Sequence, residues 1–329
     1  ALPIWANAGA AYVFDAGTGV ELFRLAPVGV EAGDRFGESV AISGKRAVVG
    51  APGDDDGGSL AGALYVFDVD TGAQLFKLVA TDADDGDQVG QHVAVDGHVA
   101  IVGVPFDEPL GPSSGSAYFF DVAAGTQLFK VTASDGAAIA QFGRSVGISG
   151  DRAIVGAPQA QPLAPGSGAA YVFDATTGAE LHRLTASDGE ASDFFGAGVA
   201  LHGDRAVVGA TGDDDQANSA GAAYVFAVSS GQELAKLVAS DGASLDFLGE
   251  SVAIAPHVVV AGAWGDDDHG PDTGAAYAFD PATGAQLFKL TAADGGAGDE
   301  YGRAVAVDGA RILVGSRADD DLASNSGAD

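Results

Sequence analysis

The chain has no cysteine and no methionine among its 329 residues. Without cysteine it has no disulfide framework, no thiol nucleophile and no thiolate ligands for zinc or an iron–sulfur cluster. Basic residues are scarce, because 15 Lys and Arg stand against 46 Asp and Glu and leave a net charge of −31. This charge repels a phosphate backbone, so we expect no nucleic-acid partner. No apolar run approaches the roughly 18 residues of a membrane span, so we expect no integral membrane segment.

Glycine is abundant, with 50 residues, and much of it recurs at a fixed period. A phrase of the type Gly-Ala-Ala-Tyr-Val-Phe-Asp starts every 53 residues, at Gly9, Gly62, Gly115, Gly168, Gly221 and Gly274. Another copy starts at Gly327. A fixed period of this length indicates a repeat protein, in which each repeat buries its apolar faces against its neighbours. We therefore expect six repeats in a single domain spanning residues 1–329.

Each repeat contains four short apolar segments separated by Gly and Asp turns. In the first complete repeat these segments are Ser39–Ile42, Ala47–Gly50, Leu64–Phe67 and Gln74–Leu78. Runs of β-branched and aromatic residues predict strands, and no segment has a sustained helical period. Four antiparallel strands per repeat predict an all-β fold, a six-bladed β-propeller with four antiparallel strands per blade. A β-solenoid is the alternative, although its repeats are usually much shorter.

The first and last repeats are incomplete. The chain begins with a third and a fourth strand, Ala11–Phe14 and Glu21–Leu25, and ends with a first and a second strand, Ala304–Val307 and Arg311–Val314. Separate half-sheets would expose bare strand edges. We therefore expect a closing blade formed from both termini. The alternative is that the halves pair between molecules and give a polymer.

Antiparallel order places two sets of long loops at the same end of the sheets: those between strands two and three, and those leading from strand four to the next repeat. These loops hold 30 of the 46 acidic residues, and long loops on a rigid scaffold commonly bind ligands. Their carboxylates are oxygen ligands suited to Ca²⁺, although Asp-rich loops are also ordinary solvated turns. The candidate metal ligands are the Asp triplets: Asp54, Asp55, Asp56, Asp213, Asp214, Asp215, Asp266, Asp267, Asp268, Asp319, Asp320 and Asp321.

Two further charged patterns recur with the repeat. A single Asp precedes the first strand, and we expect it to cap the loop backbone: Asp34, Asp87, Asp193, Asp246 and Asp299. The fourth strand of each repeat carries a basic residue. We expect its charge, at the outer edge of the sheet, to discourage pairing between sheets. These residues are Arg24, Lys77, Lys130, Arg183, Lys236 and Lys289.

The aromatic and histidine outliers suggest a ligand face. Trp5 and Trp264 are the only tryptophans, and both lie in long loops, as stacking platforms for a sugar or peptide or as packing residues. His269 directly follows Asp268 and would complete a cation site. No Gly-x-Ser-x-Gly elbow lies between a buried strand and a helix, and the near-identity of the repeats leaves no distinct active site. We therefore expect no enzyme; hydrolysis by paired carboxylates is the enzymatic alternative.

Two phrases that frame the first hairpin of each repeat carry a family resemblance. The clearest copies are Phe36-Gly37 with Gly50-Ala51-Pro52, and Phe142-Gly143 with Gly156-Ala157-Pro158. The chain resembles the FG-GAP repeat family, the blade unit of integrin α-subunit N-terminal propellers and of many bacterial secreted proteins. Its Gly-Asp-Asp-Asp phrase is closer to the bacterial type.

The resemblance implies an extracellular, cell-surface module for adhesion, ligand binding or structure. The integrin-type calcium loop, D-x-D-x-D-G between strands one and two, has no counterpart, since the turns there are as short as Ser43-Gly44-Lys45. Integrin propellers also usually have seven blades, whereas six are counted here. The expected function is a non-enzymatic binding or structural module, for adhesion or as a filament subunit, that uses the acidic loops. Its expected partner is a surface protein, a glycan or a second copy, with Ca²⁺ as the cofactor considered; a carbohydrate-binding lectin is the alternative.

Overall fold

The computed structural model describes residues 7–319, which form 24 β-strands and no helix. The strands belong to five four-stranded sheets and two two-stranded sheets. In every four-stranded sheet the strands lie in chain order, and the pairings are antiparallel. The predicted all-β class and the four antiparallel strands per blade are confirmed, and the strand content matches a six-bladed β-propeller.

The strands of the first half of the chain are β1 (Ala11–Phe14), β2 (Glu21–Leu25), β3 (Val40–Ser43), β4 (Arg46–Ala51), β5 (Ala63–Asp68), β6 (Gln74–Leu78), β7 (His92–Asp96), β8 (Val99–Val104), β9 (Ser116–Asp121), β10 (Thr126–Val131), β11 (Ser145–Ser149) and β12 (Arg152–Ala157). Those of the second half are β13 (Ala169–Asp174), β14 (Glu180–Leu184), β15 (Phe195–His202), β16 (Arg205–Ala210), β17 (Ala222–Ala227), β18 (Gln232–Leu237), β19 (Val252–Ala255), β20 (Val258–Ala263), β21 (Ala275–Phe279), β22 (Gln286–Leu290), β23 (Tyr301–Asp308) and β24 (Arg311–Ser316). The complete sheets are β3–β6, β7–β10, β11–β14, β15–β18 and β19–β22.

The chain divides into two compact units within strand β12. The first comprises the residues up to Ala153 with Asp174–Ala179, and the second comprises Ile154–Phe173 with the residues from Glu180 on. The single domain over residues 1–329 stays a prediction. So does the closing blade, because β1–β2 and β23–β24 are each a separate two-stranded sheet.

The hydrophobic core of each unit lies between successive sheets. In the first unit Val66 of β5 and Phe120 of β9 belong to one buried cluster, and in the second unit Val225 of β17 and Phe279 of β21 belong to another. Strands two and three of a sheet are buried on both faces, as in β4 and β5. The fourth strand is only partly buried, as in β6. The continuous apolar runs of the middle strands are therefore required by burial on two sides.

The glycines of the two motif phrases meet between successive repeats. A Cβ atom on Gly50 would lie 1.9 Å from the carbonyl oxygen of Gly90, and one on Gly209 would lie 1.8 Å from that of Gly249. Gly90 and Gly249 also have φ angles of 102° and 105°, which favour glycine. The glycine at the Gly-Ala-Pro position of one repeat, Gly50 or Gly209, and the glycine at the Phe-Gly position of the next repeat, Gly90 or Gly249, thus form the two sides of one backbone contact.

Candidate functional site

The two sets of long loops run side by side, as the antiparallel order predicts. In the first unit Gly86 N donates to Ser59 O (2.9 Å) and Gln88 N donates to Leu60 O (3.0 Å). In the second unit Leu245 N donates to Asn218 O at 2.9 Å in the same arrangement. Side chains from two consecutive repeats therefore share each loop pair.

The single Asp before each first strand caps its loop, as predicted. Asp34 Oδ2 accepts a hydrogen bond from Glu31 N (2.7 Å), and Asp246 Oδ2 accepts one from Ala243 N (2.7 Å). Asp87, Asp193 and Asp299 make the same bond with the backbone three residues earlier. All five carboxylates are buried, with at most 6% of the residue exposed.

Burial raises the pKa of Asp34, Asp87, Asp193 and Asp246. At Asp246, burial and the negative charges of Asp266 and Asp267 raise the pKa to about 6, against the effect of the backbone hydrogen bond from Ala243. Its second oxygen, Oδ1, is buried and has no hydrogen-bond partner. Burial also raises the pKa of Asp34, Asp87 and Asp193 above the ordinary value.

The three members of an Asp triplet have different environments. The first is buried, with exposures of 1% for Asp54, 4% for Asp213 and 3% for Asp266, while the second and third are exposed. Each buried carboxylate accepts a hydrogen bond from a tyrosine hydroxyl on strand three: Tyr65 to Asp54 at 2.9 Å, Tyr224 to Asp213 at 2.7 Å, and Tyr277 to Asp266 at 2.6 Å. Three adjacent Asp residues therefore do not act as one ligand set.

The buried Asp binds the lysine of strand four. Lys236 Nζ lies 2.7 Å from Asp213, 2.7 Å from Asp215 and 2.8 Å from Asp188 of the preceding loop. Lys289 Nζ has the same three partners in the next sheet, Asp266, Asp268 and Asp241, at 2.6 to 3.0 Å. We call each such arrangement a lysine cage. Lys77 and Lys130 form cages of two carboxylates each.

Strand register places each cage lysine over a tyrosine ring. Tyr224 and Lys236 are cross-strand partners, as are Tyr65 and Lys77. The four ammonium groups lie 5.0 to 5.4 Å from the ring centroids, within the range of a cation–π interaction. Burial alone lowers the pKa of Lys236, but hydrogen bonds to its three carboxylates outweigh burial and raise the pKa above the ordinary value.

The expectation that the strand-four bases are outer-edge charges is therefore wrong for the four lysines. Their side chains are only 17 to 22% exposed, and each ammonium lies among carboxylates. The sequence alone did not connect the lysines with the tyrosines or with Asp82, Asp188 and Asp241. A signal was present, because in four repeats the lysine, the tyrosine and the buried Asp recur together, whereas the third repeat has Arg183 and Ala160 instead.

Two of the predicted metal ligands, Asp213 and Asp215, converge with Asp188, a residue outside the predicted set. Within residues 7–319, Asp188, Asp213 and Asp215 bring one oxygen each within 4.8 Å of one another. These are the three carboxylates that hold Lys236 Nζ. Asp55, Asp214 and Asp267 are exposed, Asp319 is at the end of the described chain, and Asp320 and Asp321 lie outside the described residues.

A pocket opens between two long loops of the first unit. Its volume is about 640 Å³. Six acidic side chains and one lysine are part of its lining: Asp82, Asp84, Asp85, Asp87, Asp107, Glu108 and Lys130. Lys130 binds Asp82 (2.9 Å) and Asp107 (2.7 Å). In the part of the chain that the structure describes, no basic side chain pairs with Asp84, Asp85 or Glu108, so the pocket keeps a strongly negative charge.

The ring of Trp264, which we predicted to be a stacking platform, already packs against other side chains of the protein. Phe247 stacks on the indole with a centroid distance of 4.8 Å and an interplanar angle of 9°, and Arg303 Cζ lies 4.5 Å from the ring centroid. Trp264 Nε1 donates to Glu250 Oε2 at 3.2 Å. Since a sugar needs a free ring face, this geometry disfavours the lectin interpretation at Trp264. His269 is exposed in the Asp266–Asp268 loop, and Trp5 lies outside the described residues.

Among the described residues, no helix has the length and apolarity needed to cross a membrane. No curated protein matches the chain. A crystal structure of the computationally designed Ika8 protein is similar in fold, with a TM-score of 0.53 and 17% sequence identity over 95% of this chain and 89% of that one. This likeness concerns the fold alone.

The family model described as FG-GAP repeat matches six successive segments, residues 20–67, 73–120, 126–173, 179–226, 232–279 and 285–328. The segments cover most of the chain and include the glycine contacts and lysine cages. Propellers built from this repeat are typically binding modules without catalytic activity. The chain belongs to the FG-GAP repeat family.

Proposed function

We propose that the protein is a non-enzymatic extracellular module, used in adhesion or surface assembly, that binds a cationic partner through its acidic long loops. The observation that carries the proposal is the pocket of about 640 Å³ between two loops of the first unit, with six acidic residues and one lysine in its lining. Burial raises the pKa of Asp87 in this pocket, and the charges of Asp107 and Asp84 contribute to the rise. A positive ligand relieves this repulsion.

Charge also limits the kind of partner. The chain carries −31 overall, so the acidic loops of two copies repel each other. A basic segment of a surface protein complements the charge of the pocket, whereas an uncharged glycan leaves that charge unneutralised. The contacts of Phe247 and Arg303 with the Trp264 ring leave the lectin alternative without a supporting observation.

The experiment measures binding of a fluorescent oligolysine peptide by anisotropy at low and moderate salt. In the variant Asp84→Asn/Asp85→Asn/Glu108→Gln, three exposed carboxylates without a basic partner are neutralised. Each exposed charge pair contributes about 0.5 kcal/mol, so the loss of three pairs costs about 1.5 kcal/mol and we expect affinity to fall about tenfold. Salt should weaken wild-type binding more than binding by the variant, because exposed charges are screened.

The matched control is Glu21→Gln/Asp70→Asn/Asp308→Asn, which changes the net charge equally at exposed positions outside the long loops. We expect it to bind like the wild type. Equal losses in both variants would show that only net charge matters and would refute the proposal. Tight binding of an uncharged glycan, with no peptide binding, would support a lectin instead.

A further inference from the structure

The lysine cages hold a cation that the chain itself supplies. In the second unit, one oxygen each of Asp188, Asp213 and Asp215 lies 2.7 to 2.8 Å from Lys236 Nζ. The Tyr224 hydroxyl lies 2.8 Å from Asp188 and 2.7 Å from Asp213. Three carboxylates of two consecutive loops thus meet at one positively charged point.

Calcium, the ion that the FG-GAP family suggests, does not fit these residues as they stand. Ca²⁺ takes about six to eight oxygen ligands at roughly 2.3 to 2.6 Å. The point at which the three carboxylates converge is occupied by the ammonium, whose charge would repel the ion. The lysine is also held in place, since its Nζ lies 5.3 Å from the centroid of the Tyr224 ring opposite it in the sheet.

The differences between repeats at the lysine and buried Asp positions agree with this interpretation. The sheets that have a lysine at this position also have the buried loop Asp: Lys77 with Asp54, Lys130 with Asp107, Lys236 with Asp213, and Lys289 with Asp266. In the third repeat the buried Asp is replaced by Ala160, and the lysine by Arg183. The strand-four lysine and the buried loop Asp are therefore either both present in a repeat or both replaced.

We propose that the cage lysine is the resident cation of these loops and holds the position that a divalent metal ion would otherwise take. The acidic loops of the lysine-containing sheets are consequently organised without Ca²⁺. Removing the ammonium from a three-carboxylate cage should convert it into a divalent-cation site.

The test compares the wild type with Lys236→Met, which keeps the side-chain volume and removes the charge. Melting temperature is measured in EDTA and in excess CaCl₂, and site occupancy is measured with Tb³⁺, whose emission is sensitised by a nearby tyrosine such as Tyr224. The wild type should melt at the same temperature in EDTA and in calcium. K236M should melt lower in EDTA, gain about 5 °C at a hundredfold excess of calcium over its Kd, and bind one Tb³⁺ more than the wild type.

The chain offers a matched control in Lys77→Met. Its cage has only Asp54 and Asp56, because the position equivalent to Asp188 is Gly29. The charge change is the same, but we expect no additional Tb³⁺ and no recovery with calcium. The double variant Asp213→Asn/Lys236→Met should likewise lose the acquired site.

Two results would overturn the proposal. One is a wild-type melting temperature that rises in calcium and no longer does so in K236M; the other is a folded K236M that binds no more Tb³⁺ than K77M. Should K236M fail to fold in either medium, Lys289→Met gives the same measurement at the second cage of three carboxylates.

Discussion

The contact between motif glycines predicts a severe effect of one methyl group. In Gly209→Ala the new Cβ would lie 1.8 Å from the Gly249 carbonyl oxygen and 2.6 Å from its carbon. The Gly249 backbone has little freedom to retreat, because its N–H donates to Gly262 O at 2.9 Å. The φ angle of Gly209 is not in the left-handed region, so the penalty is steric.

The magnitude follows from the distance that must be opened. An ordinary carbon–oxygen contact is about 3.3 Å, so the two repeats must separate locally by about 1.5 Å. Interiors packed as densely as crystals resist such a change, and overpacking costs about 3 kcal/mol at the upper end of its usual range. We therefore expect the melting midpoint of Gly209→Ala to fall by about 6 °C or more.

Gly203→Ala, in the turn between β15 and β16, is the control. Gly203 has a φ of 56° and no atom within 4 Å of its hypothetical Cβ, so this variant incurs only the left-handed backbone cost of about 1 kcal/mol. Circular-dichroism melts of both variants and the wild type decide between the two cases. If Gly209→Ala melts no lower than Gly203→Ala, the steric account of the Gly-Ala-Pro glycine is refuted.

Two further predictions concern the loops. Tyr224→Phe removes the hydroxyl that bonds to Asp213 and Asp188; we expect a loss of about 1 to 3 kcal/mol in denaturant unfolding, against no change for Tyr12→Phe, where the residue is 48% exposed. Asp246 has a pKa raised to about 6 in the folded protein, against about 3.9 when unfolded, so its favourable contribution is complete below about pH 4 and is lost as the pH rises through about 6. Asp246→Asn should therefore match the wild type near pH 4 and exceed its free energy of unfolding by about 3 kcal/mol near pH 7.5; a constant difference at all pH values would contradict the assignment.

Most of the secondary structure could be predicted from the sequence, because the repeat presents the same strand pattern several times. The predicted Gln74–Leu78, Ala11–Phe14 and Glu21–Leu25 coincide with β6, β1 and β2, and other ends differ by one or two residues. The main departure is β23, which begins at Tyr301 of the Tyr-Gly motif instead of at Ala304. Strand ends depend on hydrogen bonds to the neighbouring strand, which a single-strand pattern does not contain.

The site was only half predictable, for a reason visible at Lys236. Its position on strand four predicts a solvent-exposed edge, and Asp213 in its triplet predicts a metal ligand. Both expectations consider only the sequence segment in which the residue lies. Strand pairing places the lysine opposite Tyr224, and its ammonium contacts carboxylates of two loops.

The sequence by itself determined the period and the strand order, because these follow from a local burial pattern repeated every 53 residues. Only the tertiary structure decided which charges meet, since residues 48 positions apart, such as Asp188 and Lys236, become neighbours when loops of consecutive repeats lie side by side. It also decided that the Trp264 ring is contacted by Phe247 of another loop and by Arg303 of β23. Ionic and stacking interactions depend on distances of a few ångströms in space, and the separation of two residues in the sequence does not give that distance.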